Sequence, residues 1–147
     1  MKRALKYGIL VAVIIAVWIA LKHWGLHLDQ TRAAIFDTVI FNVAGIIGLA
    51  LGISDKRAAN NGALTFGEGM KTGVAIAITY AVLTAIYFAL VLVLVGPVLM
   101  QQAGHVGPNG EITGPILIKA FAGLIIGMTF IGAILSVVVT LVLRRKV

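Results

Sequence analysis

The chain has 147 residues, of which 61% are hydrophobic and 12% charged, where soluble domains run at about 45–50% and about 25%. A water-soluble sphere of this size could not hide that much apolar surface, so the solvent the sequence implies is lipid. The net charge of +7, from 12 Lys and Arg against 5 Asp and Glu, does not point to nucleic acid. The basic residues cluster at the ends of apolar runs, as membrane topology requires, and no basic stripe remains for a phosphate backbone. With no cysteine, disulfides, thiolate nucleophiles and cysteine-ligated metals are excluded.

Between Lys6 and Lys22 lie fifteen uncharged residues, Tyr7 to Leu21. That is short for a hydrocarbon core of about 30 Å, but Lys22 can snorkel and Trp18 and Trp24 suit the interface. A cleaved signal peptide is the competing reading of this start. Bulky Trp18 two positions before Ala20 makes a poor cleavage site, so an uncleaved first helix is expected. The second span runs from Ala33 to Ile53, with Asp37 one turn inside it.

After Lys71 no charge follows until Glu111, a gap of thirty-nine residues. Gly96-Pro97 divides it, because proline lacks the N–H and clashes with the preceding turn; helix three is expected to end there or to kink and reach Met100. The last span lies between Lys119 and Arg144, twenty-four uncharged residues. The expectation is an all-α integral membrane protein, a four-transmembrane-helix bundle in one domain over residues 1–147. Its spans fall at about 5–24, 33–53, 70–97 and 117–143.

Nine Lys and Arg fall on one side of these spans, and only Lys22, Arg32 and Lys119 on the other. Positive residues mark the cytoplasmic side, so both termini are expected inside, in a bacterial plasma membrane, with all three histidines outside. Asn60-Asn61-Gly62 reads as a turn. Thr65 and Glu68 have capping-box spacing for a helix that starts in the cytoplasmic interface and enters the membrane past Lys71. Gln101 to Gly114, rich in Gly, Pro, Asn and Gln, reads as an exposed outer loop.

Every span carries small residues four apart, the spacing that lets helices approach closely in lipid. The ladders are Gly8-Ala12-Ala16-Ala20, Ala44-Gly48-Gly52, Gly73-Ala77-Ala81-Ala85-Ala89, Gly123-Gly127 and Gly132-Ser136-Thr140. Gly48, Gly52, Gly73, Ala77, Ala81, Gly123 and Gly127 are the expected packing positions.

Ionisable groups in a bilayer are functional candidates by default, and Asp37 is the only acidic one placed inside a span. It stabilises the helix N-terminus near Arg32, Thr31 and Thr38, or it binds an ion or proton at an outer vestibule. Asn42 is expected to hydrogen-bond to another helix. Tyr80, Thr84 and Tyr87 share a face and, with Asp37 and Asn42, could form a polar seam or pathway; the alternative is local backbone bonding and aromatic packing. His23 and His27 are four apart, and Asp29, His105 and Glu111 lie on the same side, but two-ligand spacing is not a complete metal site. No metal, no cofactor and no catalytic motif are expected: there is no phosphate loop, nucleophile elbow or zincin helix.

Three stretches carry a family resemblance: Lys6-Tyr7-Gly8, Gly45-Ile46-Ile47-Gly48, and above all the run from Gly62 through Thr65, Gly67, Glu68, Gly69 and Lys71 to Gly73. In these the chain resembles short bacterial four-helix membrane proteins catalogued as a domain of unknown function. The resemblance implies a fold and a membrane address, with no site residue to carry over. The functional expectation is an accessory or assembly subunit packing with itself or a larger membrane complex; the alternative is a small homodimeric transporter or channel for ions or small solutes.

Overall fold

A computed structural model describes residues 2–25, 30–95 and 113–144, apart from the side chains of His23, Gln30, Thr31 and Val95. They form four helices: α1 (Lys2–Trp24), α2 (Gln30–Ala59), α3 (Phe66–Val95) and α4 (Gly114–Leu143). Each is long and apolar enough to cross a membrane, and no strand occurs among the described residues. At 1.5 Å per residue the 30-residue helices reach about 45 Å, beyond a hydrocarbon core of about 30 Å.

The helices therefore exceed the spans expected from the sequence. α2 continues past Ile53 through Asp55, Lys56 and Arg57, while α3 starts at Phe66, where the Thr65–Glu68 spacing puts the start of a helix that enters the membrane past Lys71. Charges mark where the apolar stretch ends; the helix does not stop there, because its backbone bonds are internal and hold in the polar layer too. Gly96-Pro97 and the expected outer loop lie outside the described residues up to residue 112.

α3 is the hub. It packs against α1, α2 and α4, while α2 also touches α1 and α4. The α1–α2 hairpin keeps one register along its length. Arg3 pairs with Asp55 at 3.1 Å, Tyr7 and Val11 lie where side chains on Gly52 and Gly48 would stand, and Lys22 reaches Asp37.

Small and hydroxylated residues and one row of aliphatic ones face inward, and the remaining large aliphatic residues face out. On α1, Ala4, Gly8, Val11, Ile15 and Ile19 are buried, while Leu5, Ile9, Val13, Val17 and Leu21 are exposed. Lipid covers such a surface as well as protein does, so close backbone approach, not apolar burial, is what holds the helices together. The α3–α4 seam is closely fitted along its length. A Cβ on Gly69 would strike Thr140, one on Gly73 would strike Ser136, and one on Gly132 would strike Ala77. Two antiparallel ladders, 69-73-77 and 140-136-132, thus mesh step for step.

The α2–α3 connector is tied at both ends. Asn61 and Gly62 take positive φ, 55° and 85°, which Asn tolerates and Gly adopts freely. The Thr65 N–H and hydroxyl donate to Glu68 Oε2 at 3.1 and 2.8 Å, and the Glu68 N–H returns to Thr65 Oγ1 at 3.3 Å. This is the reciprocal capping box that the spacing predicts. Asn60 donates to Glu68 Oε1 at 2.8 Å, with Lys56 beside it at 3.7 Å.

Candidate functional site

At the end of the bundle where α1 finishes and α2 begins, the polar groups gather around Asp37. The Trp18 indole N–H donates to Asp37 Oδ1 at 2.7 Å, and Lys22 Nζ donates to Oδ2 at 2.6 Å. Lys22 and Asp37 are 23% and 28% exposed, so the pair is screened less than a surface ion pair and stays within reach of the interface. Trp18 also lies against Phe36, with ring centroids 6.1 Å apart. The carboxylate is thus not a charge at the start of its own helix, since Asp37 stands beyond the first turn of α2. It is a clasp between α2 and α1.

Behind Asp37, between α2 and α4, lies a cavity of about 220 Å³. Asp37, Thr38, Phe41 and Asn42 form its α2 wall, Met128, Ile131 and Leu135 its α4 wall, and Tyr80 of α3 its floor. Thr38 donates to the Ala34 carbonyl at 2.9 Å and Tyr80 to the Met128 carbonyl at 3.3 Å. Asn42 donates through Nδ2 to the Thr38 carbonyl at 2.7 Å, within its own helix rather than across to another.

The expected polar seam is therefore divided. Asp37, Asn42 and Tyr80 share the cavity, but the Tyr87 hydroxyl donates to the Ala16 carbonyl of α1 at 3.2 Å. Thr84, between the two tyrosines, is buried, and no hydrogen bond is made by its hydroxyl. Tyr80 ties α3 to α4 and Tyr87 ties α3 to α1, each bond contributing about 1 kcal/mol.

Of the expected packing positions, Gly48, Gly52, Gly73, Ala77 and Ala81 are buried inside the bundle. Gly123 and Gly127 differ: apart from the neighbouring residues and backbone of α4 itself, no atom lies within 4 Å of where a side chain on either would begin. The expected histidine group falls on residues 27, 29, 105 and 111, outside the described residues, as does the side chain of His23. Sequence reasoning missed Trp18 and Lys22 as partners of Asp37. Only the hairpin register reveals them: residues 22 and 37 have the same sum as the structurally paired 11 and 48.

A family model described as "Protein of unknown function (DUF4199)" matches residues 6–105. The match spans α1 to α3 with the capping-box stretch, and stops short of α4. No curated protein and no solved structure matches the chain.

Proposed function

The chain belongs to the DUF4199 family, proteins of unknown function, and from that premise we propose that it is a non-enzymatic membrane subunit acting by lateral association through the outer half of α4. Its partners on this reading are lipid and further copies of itself, or a larger membrane complex. Its place is a bacterial plasma membrane with both termini cytoplasmic, as the Lys and Arg count favours.

One observation carries the reading. The glycines at positions 8, 48, 52, 69, 73 and 132 each have a neighbour where a side chain would stand, whereas Gly123 and Gly127 have none. Small residues four apart in an apolar helix are the usual device for helix pairing in lipid. Their surroundings suit a contact face, with Ile126 68% and Phe130 65% exposed.

The test is a single cysteine at Ala122, unique because the chain has none, cross-linked in native membranes and followed by native mass spectrometry. Gly127→Leu should abolish the cross-linked species while the monomer stays folded; undiminished cross-linking would end the reading. The outer cavity favours transport as a second reading. Leu49, Ile53 and Ile76 are all fully buried, so on this second reading transport requires another conformation that opens the bundle beyond the cavity. Solute flux in liposomes that Asp37→Asn reduces would support it; unchanged flux would remove Asp37 from any pathway.

A further inference from the structure

The cavity between α2 and α4 has an uneven inventory of hydrogen-bonding groups. The hydroxyls of Thr38 and Tyr80 both donate to backbone carbonyls, so each presents its oxygen as an acceptor. Asn42 directs one N–H to the Thr38 carbonyl and retains its side-chain oxygen as an acceptor. Asp37 adds a carboxylate. Against these acceptors the wall offers one further N–H of Asn42, and its remainder is the apolar surface of Phe41, Met128, Ile131 and Leu135.

A largely apolar site with one carboxylate and a few acceptors at its wall suits a donor that carries positive charge on an apolar body. The structure already holds such a group on Asp37: the ammonium of Lys22, at 2.6 Å. Lys22 lies near the outer end of α1 and remains partly exposed. Its stem allows the charge to withdraw to the interface. Trp18 meanwhile holds Asp37 Oδ1 in place. Exchange of one ammonium for another leaves the carboxylate paired, which matters in a medium where an unpaired charge is costly.

We infer that this cavity binds a small organic ammonium ion with an apolar body, which displaces Lys22 from Asp37. The volume of about 220 Å³ is below the range of about 300–1,000 Å³ for drug-sized ligands, so the ligand is of the size of one ring with a short amine chain. This site lies within one copy of the chain and does not depend on association through α4.

The experiment uses the full chain in nanodiscs of zwitterionic lipid, titrated with 2-phenylethylamine and, separately, with 2-phenylethanol. The two probes share a skeleton and differ in the charged donor. Binding is read by calorimetry and by tryptophan fluorescence, against nanodiscs without protein. The amine should bind and the alcohol should bind at least about tenfold more weakly. Asp37→Asn, which retains an acceptor for Trp18, should lower amine affinity about tenfold or more. Lys22→Gln should raise it about fivefold by removing the tethered competitor.

The last sign is the decisive one, because a damaged fold cannot tighten binding. Absence of binding by either probe, equal affinity for amine and alcohol, or weaker amine binding in Lys22→Gln would each overturn the inference.

Discussion

The α3–α4 seam makes a sharp prediction through Gly73. A Cβ at this position would stand 2.6 Å from Ser136 Cβ and 3.4 Å from Ile53 Cδ1. Carbon atoms rest about 3.5–4.0 Å apart, so even alanine forces α3 and α4 apart by about 1 Å, and leucine by more. That separation is not local, because Gly69 against Thr140 and Ala77 against Gly132 sit on the same two ladders. Overpacking costs about 1–3 kcal/mol in ordinary cores, and three coupled steps place Gly73→Leu at the upper end, about 3 kcal/mol. The assay is unfolding in mixed micelles of a mild detergent and dodecyl sulfate, followed by far-ultraviolet circular dichroism and tryptophan fluorescence. Gly127→Leu is the matched control, since open space surrounds Gly127; at dilutions where the chain is monomeric, so that association adds nothing to stability, its midpoint should stay at the wild-type value. Equal midpoints for Gly73→Leu and wild type, or equal losses in the two variants, would refute the packing argument.

Gly48→Leu should destabilise the single chain rather than only its association, because Val11 occupies the space needed; a folded but dissociated variant would contradict this. Trp18→Phe should cost about 1 kcal/mol in the same unfolding assay by removing the indole donor to Asp37. At the connector, hydrogen bonds from the Thr65 N–H and hydroxyl and from Asn60 hold the Glu68 carboxyl below its ordinary pKa. Its stabilising effect is therefore full above the unfolded carboxyl value and fades as pH falls through the lower folded one. Thr65→Ala should flatten that acid limb of the stability profile, and an unchanged limb would remove the capping box as its source. For topology, Ala63→Cys should react with an impermeant maleimide from the cytoplasmic side only, and Thr113→Cys from the outer side only.

What the sequence makes legible depends on the range of the interaction. The four helices follow from charge spacing, and the Thr65–Glu68 box from a three-residue interval, because both are local. Partnership is not. Ala44-Gly48-Gly52 and Gly123-Gly127 look alike as strings, yet Gly48 meets Val11 while Gly123 meets nothing; only the helix arrangement separates them. Tyr80 and Tyr87 share a helical face by spacing, but α3 is surrounded, so hydroxyls two turns apart reach α4 and α1 respectively. Asp37 illustrates the same limit. Its residue type announces a functional candidate, whereas its two partners lie nineteen and fifteen positions back in the chain and become visible only once the α1–α2 register is known.

The hub position of α3 also sets the order in which the molecule can be assembled during synthesis. α1 and α2 can meet as a hairpin as soon as both are inserted, since the Arg3–Asp55 pair and the Trp18–Asp37–Lys22 clasp require only those two helices. α3 joins next and presents Gly69, Gly73 and Ala77 as a nearly bare strip of backbone. That strip has no complement until the last thirty helical residues emerge. A ribosome paused before α4 would hold a three-helix intermediate with an adhesive edge, so the interval between the third and fourth insertions is when this chain is most exposed to pairing with the wrong neighbour.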